Sequence, residues 1–164
     1  MDPASITHVV NSELHSDHCG GNALLPEATV VNQRVEWDAA LTFGQDRWYV
    51  QGDFDTGQRT RLLLGAHDLF GDGSVVCIPT PGHAPGTSPS ACAPDSNEFI
   101  LCRDACCLRE SLEHTILPGI IADPDQTFAT LQLFRSFQRA GATIMFGHDP
   151  VQWEGIAKAP ASLR

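Results

Sequence analysis

An α/β fold is what this sequence predicts, and three observations carry that reading. Short apolar, β-branched segments alternate with helical patterns, one long helix is signalled at both of its ends, and nearly every polar cluster follows a strand. The last feature matters because α/β sheets build their sites beyond the carboxyl ends of their strands.

Ile6 to Asn11 reads as a short buried strand leading into a polar loop. Gly20-Gly21-Asn22 opens a short helix through Leu24 and Leu25, and Ala28 to Asn32 supplies a second strand. Val35 to Phe43, with Trp37, Ala40 and Leu41, suits an amphipathic helix. The Gly/Asp-rich stretch from Gly44 to Gly57 predicts an exposed loop. Further strands are expected over Thr60 to Leu64, over Ser74 to Pro79 after the turn Gly71-Asp72-Gly73, and over Glu98 to Cys102. The clearest helix runs from Pro124 to about Ala140: Asp123 can cap it, Pro124 suits its first position and Gly141 its end. Phe128, Leu131, Phe134 and Phe137 recur every third residue and predict a core-facing stripe. A last strand, Thr143 to Phe146, runs into Gly147-His148-Asp149-Pro150.

The 164 residues, 42% hydrophobic and 18% charged, have the composition of one globular domain rather than of a disordered chain. A formal net charge of -10 leaves no basic stripe to meet phosphates, which excludes a nucleic-acid partner. No apolar run approaches the roughly 18 residues of a membrane span. Met1 to Ser5 shows no secretory pattern, so the expected compartment is the cytoplasm. Cys19, Cys77, Cys92, Cys102, Cys106 and Cys107 fit neither a paired-ligand spacing nor a disulfide framework, and most are expected to be buried reduced thiols.

Four segments put potential metal ligands just after strands: Glu13-Leu14-His15-Ser16-Asp17-His18, then His83, Asp104 and His148. Three or four ligands within one turn strain around a single ion but suit two ions a few ångströms apart. Alone, His83 or His148 would be an ordinary hydrogen-bonded side chain and Asp104 a turn residue. Together, imidazoles and carboxylates favour zinc or a similar borderline divalent ion.

Glu13 to His18, followed by Cys19-Gly20-Gly21-Asn22, resembles the HxHxDH signature of the metallo-β-lactamase superfamily. Pro79-Thr80-Pro81-Gly82-His83-Ala84-Pro85-Gly86 is similar to its TPGHTPG segment. Asp68-Leu69-Phe70-Gly71-Asp72-Gly73-Ser74, Asp104-Ala105-Cys106 and His148-Asp149-Pro150 resemble the N-acyl-homoserine lactonase branch. The resemblance spans nearly the whole chain and implies an αββα sandwich, of which residues 1–164 form a single partial domain. It implies two zinc ions: His15 and His83 on the first, Asp17, His18 and His148 on the second, and Asp104 bridging. It also implies that a metal-held hydroxide opens the ring of a small lactone substrate while Asp17 positions the nucleophile and manages the ring-opening proton. Another ester, lactone or thioester hydrolase of the same fold, or a non-catalytic metal-binding remnant, are the alternatives.

Four departures qualify the resemblance. Glu13 stands where the family has histidine, so weakened occupancy of the first site is expected. Cys107 stands where the lactonases carry a tyrosine that contacts the substrate carbonyl. Losing such a contact costs on the order of a hundredfold in rate. The family continues PGH-x-PG with His-Gln-Ser and an apolar strand, whereas here Thr87-Ser88-Pro89-Ser90-Ala91-Cys92-Ala93-Pro94 follows, which has poor strand chemistry. One coding of Gly86 onward, with a single C restored, reads Gly-His-Gln-Ser-Leu-Arg-Val-Arg. A short compensated frameshift over residues 87–96 is therefore expected, with a Pro-rich loop in place of a core strand. Lastly, the sequence begins at the strand before the metal loop, so the family's N-terminal β-rich half is expected to be absent. Uncovered apolar faces would then favour a homo-oligomer or a covering partner.

Overall fold

The structure, a computed structural model, describes residues 2–92 and 98–158. Strands β1 (His8–Val10), β2 (Thr29–Gln33) and β3 (Thr60–Leu63) pair in parallel, in that order. Parallel neighbours need crossover connections. Helix α1 (Ser16–Cys19) lies on the first crossover, and α2 (Arg34–Phe43) and α3 (Gln51–Phe54) on the second. Val30 and Val31 point to opposite faces of β2 and are 1% and 0% exposed, so both faces of this sheet are covered.

The second sheet has five strands: β4 (His67–Asp68), β5 (Val75–Cys77), β6 (Ser90–Cys92), β7 (Phe99–Arg103) and β8 (Thr143–Phe146). Its pairs are antiparallel except β7–β8, which is parallel and bridged by α4 (Arg109–His114) and α5 (Pro124–Arg139). A short helix, α6 (Pro150–Gly155), follows β8. Val75 and Cys77 turn toward the first sheet and meet Val10, Val31, Leu63 and Leu69. Val76, between them in sequence, turns the other way, to the layer where Leu131 and Phe134 of α5 pack on Ile100, Cys102 and Ile144. Helix α2 packs Ala40 with Leu14, Tyr49 and Phe54 beside the first sheet. The layers therefore run helix, sheet, sheet, helix, the expected αββα order.

Several expectations need correction. The stretch from Gly44 to Gly57 is not a plain exposed loop: it holds a 3-10 turn (Gly44–Arg47) and α3, and it buries Tyr49 and Phe54. Its glycines and aspartates masked two aromatic anchors. Phe128 is 49% exposed, outside the stripe assigned to it. A repeat of three drifts about 60° per step against the 3.6-residue turn, and the buried face is Thr127, Thr130, Leu131 and Phe134 instead. Ser90–Cys92 forms strand β6 between β5 and β7, so the Pro-rich segment does keep a strand there. Ladder partners on both sides outweigh its weak propensity. Residues 93–96 of that segment lie outside the described residues. The six cysteines are free, and Cys19, Cys77, Cys102 and Cys106 are buried.

Candidate metal centre

The four ligand-bearing segments follow β1, β5, β7 and β8, strands drawn from both sheets. Each turn has a local cause. His15 precedes α1 in extended backbone, and Asp17 and His18 fall within that one-turn helix. Gly82, at φ 139°, lies so close to the start of α5 that a Cβ would meet the Thr127 nitrogen at 2.5 Å. Ala122 and Asp123 nitrogens donate to the Gly82 carbonyl, which locks the His83 loop against the helix. Before Asp104, the β7–β8 register shifts and Arg103 adopts a left-handed φ of 52°. Such bulges re-aim the residue that follows, and strain of this kind gathers at functional sites.

These turns bring two ligand groups together: Glu13, His15 and His83, and beside them His18, Asp104 and His148. Glu13 Oε1 lies 2.9 Å from His15 Nδ1, 3.2 Å from His83 Nε2 and 3.5 Å from His18 Nε2. Asp104 stands between the groups. Its Oδ1 is 2.9 Å from His148 Nε2, and its Oδ2 is 3.6 Å from His18 Nε2 and 3.8 Å from His83 Nε2. Asp17 is at the margin: its Oδ2 lies 3.5 Å from His18 Nε2 on a side chain 72% exposed, and it belongs to neither group.

The donor set fits divalent ions. His83 Nδ1 donates to the Ile120 carbonyl at 3.0 Å, which leaves its Nε2 lone pair facing the group. That Nε2 is buried and without a hydrogen-bond partner among the described residues. An unpartnered buried nitrogen is costly, and a metal ion satisfies it in the usual carbonyl–histidine–metal arrangement. His18 is oriented alike, with Nδ1 toward Ser12 Oγ at 3.2 Å.

Charge follows the same pattern. Burial alone would raise the Glu13 carboxyl, but the His15, His83 and His18 rings around it hold it at about 2. Asp104 is likewise held at about 2, burial being outweighed by His18, His148 and His83. His18 is raised, chiefly by the Asp104 carboxylate beside it. Burial would lower His83, yet the nearby Glu13 and Asp104 carboxylates raise it. Cys107 lies against this centre, its thiol 3.8 Å from the Asp104 carbonyl. Burial, then the charges of Asp104 and Glu13, push it up to about 12.

Sequence reading missed Glu36. Its carboxylate is 1% exposed and accepts hydrogen bonds from Leu14 nitrogen at 3.1 Å, Tyr49 hydroxyl at 3.0 Å and Gly86 nitrogen at 2.8 Å. It thus ties the Glu13–His15 turn, the His83 loop and the tyrosine whose ring stacks on His15 at 5.0 Å. The available signal was a carboxylate sharing a helix face with Ala39 and Ala40. A cleft of about 580 Å³ opens beside His15 and His83, walled by Val35, Phe43, Trp48 and Ile120.

Among the described residues no helix is long and apolar enough to cross a membrane. Residues 1–93 match the family model of the metallo-beta-lactamase superfamily. The chain is 38% identical to the N-acyl homoserine lactonase AttM of Agrobacterium fabrum (strain C58 / ATCC 33970), over 98% of this chain and 64% of that protein. It is 25% identical to an N-acyl homoserine lactonase of Bacillus thuringiensis, over 90% of this chain and 58% of that protein. It therefore spans less than two thirds of the length of these relatives. In fold it is similar to a solved N-acyl homoserine lactone hydrolase that has N-hexanoyl-L-homoserine bound at its catalytic metal center. That likeness has a TM-score of 0.87 at 24% identity, covering 98% of this chain and 63% of the other. A family match over more than half of its residues, on a fold of the same kind, makes this chain a member of the metallo-beta-lactamase superfamily.

Proposed function

We propose that this chain carries the metal centre of a hydrolase that opens the lactone ring of N-acyl homoserine lactones. The observation that carries the reading is the pair of adjacent ligand groups, Asp104 of one 3.8 Å from His83 of the other, with that buried His83 nitrogen lacking a hydrogen-bond partner among the described residues. Glu13, His15 and His83 would hold the first zinc ion and His18 and His148 the second, with Asp104 between. When bound, two such ions polarise an ester carbonyl and make water acidic enough to attack it near neutral pH.

The chain's own residues do the rest. Asp17, exposed beside His18, is the carboxylate free to take a proton during attack and return it to the ring oxygen as the ring opens. The Val35, Phe43, Trp48 and Ile120 wall gives an acyl chain an apolar bed next to His15 and His83. Cys107, at the family's tyrosine position, spends its weak donor on the Asp104 carbonyl, so it gives the substrate carbonyl little help. The relatives' names as lactonases support this substrate class.

The test is to purify the chain without chelators, count bound ions by elemental mass spectrometry, and follow ring opening of N-hexanoyl homoserine lactone. Two ions and a ring opening abolished in His83→Ala are expected. Two ions with cleavage of aryl esters or thioesters instead would assign a different hydrolase, and no cleavage of any would leave a metal-binding protein.

A further inference from the structure

We propose that Asp149 is a positioning residue for the second ligand group: its one carboxylate caps both α6 and α4, and so fixes where His148 stands against Asp104. Asp149 belongs to neither ligand group. This rests on the metal-centre reading above and deepens it.

The two oxygens of Asp149 have different tasks. Oδ1 accepts from Gln152 nitrogen at 2.8 Å, the bond by which an aspartate caps the helix that follows it. A cap needs no more than that one oxygen. Oδ2 accepts instead from Arg109 nitrogen at 3.0 Å, 40 residues away and at the first position of α4. The first amides of a helix have no partner within it. Leu108, which precedes α4, supplies no side-chain cap. Asp149 therefore gives α4 the acceptor that its own sequence lacks.

The place of that second bond ties it to the metal centre. Gly147 nitrogen donates to the Cys106 carbonyl at 3.2 Å and His148 nitrogen to the Cys107 carbonyl at 2.9 Å. The Asp149 carboxylate adds Arg109, so the turn 147–149 is held along the segment 106–109. That segment directly follows Asp104, whose Oδ1 lies 2.9 Å from His148 Nε2. A tie from the other side meets it at Asp149. Gln152 Oε1 accepts from Phe146 nitrogen at 2.8 Å, and its Nε2 donates to the Ile144 carbonyl at 2.7 Å. In a capping box a glutamine at this place returns to the cap residue's own nitrogen. Here it reaches past the His148 turn to β8, and Asp149 Oδ1 holds its backbone.

The His148 ring is more than half exposed, so its aim depends on the backbone beneath it rather than on packing around it. Partners outside the ligand shell that fix such an aim are worth about ten- to a hundredfold in metal affinity.

Two variants of the full chain separate the cap from the clamp. Asp149→Ser keeps a good cap for Gln152 nitrogen, with a single, shorter oxygen that cannot also serve Arg109. Asp149→Ala keeps neither bond. In the metal-free chain, amide hydrogen exchange read by NMR is expected to quicken at Arg109 in both variants and at Gln152 in Asp149→Ala only. Titrated with zinc, both variants are expected to bind the second ion, the one that His148→Ala weakens, about tenfold less tightly, with the first ion unchanged. Full affinity for the second ion in Asp149→Ser overturns the proposal, because the α6 cap alone then suffices. Equal weakening of both ions overturns it as well, since the loss is then one of general structure. If Asp149→Ala does not fold, Asp149→Ser decides alone. An original chain that binds no zinc overturns the metal-centre reading and this inference with it, whereas two ions bound equally by the original and Asp149→Ser overturn this inference alone.

Discussion

The two ligand groups touch through Asp104 yet are built differently. In the first, Glu13, His83 and His15 have side chains 0%, 9% and 14% exposed, and their turns are held by Glu36, Thr87, Ile120 and Tyr49. In the second, His18 and Asp104 are each 14% exposed but His148 is 58% exposed, and its ring is held by Asp104 itself. The group that departs from the family motif is the enclosed one, and the group that keeps every motif residue is the open one. Matching a motif is a property along the chain, while holding a ligand still is a property of packing across it.

Asp104 is the sharpest place to strike, because its two oxygens face ligands of both groups. Asp104→Ala is expected to lower the affinity for both ions by about a hundredfold, read by metal content after gel filtration. Loss of one ion only would show that the groups are independent and that Asp104 belongs to one of them. Next in size is Glu36→Ala, which leaves the Leu14, Gly86 and Tyr49 donors without their buried acceptor. It should cost about 3 kcal/mol in chemical denaturation of the metal-free chain, since three buried donors lose their acceptor. The first position should lose its ion while the second retains its own. Equal loss at both would mean that the enclosure of the first group does not depend on Glu36.

Why Glu36 escaped notice explains how much of the molecule was legible. The ligands could be read because metal chemistry needs particular residue types, and these stood at short spacing or directly after strands. Helix α5 was legible at both ends, and Asp123 does cap it, accepting from Gln126 nitrogen at 3.0 Å. Glu36 takes its meaning from partners 22, 13 and 50 residues away, which no local window contains. The same holds for Tyr49, buried in a stretch whose composition reads as loop, and for Ser90–Cys92, whose strand character comes from neighbours on both sides. Phe128 failed for another reason: a three-residue repeat cannot stay on one face of a helix with 3.6 residues per turn, and Thr127 and Thr130 take the buried side there. Local chemistry was visible; packing between distant segments was not.

The smallest expected effect tests the comparison from the open side. His148 projects a half-exposed ring from backbone that is already fixed: its own nitrogen donates to the Cys107 carbonyl, and Gly147 nitrogen donates to that of Cys106. Gly147 also sits so close to Arg103 that a Cβ would meet its carbonyl oxygen at 2.4 Å, so the turn is held by contacts the ring does not make. His148→Ala should therefore change stability by no more than about 0.5 kcal/mol, the range of ordinary surface substitutions. It should weaken the second ion by about tenfold and leave the first unchanged, because His18 still pairs with Asp104 Oδ2 and Glu13 still faces His15 and His83. Thermal melting with and without zinc, beside metal counts, reads all three quantities. If the first ion departs with the second, Asp104 couples the groups so tightly that their difference in burial has no consequence for binding, and the centre acts as one site rather than an enclosed position beside an open one.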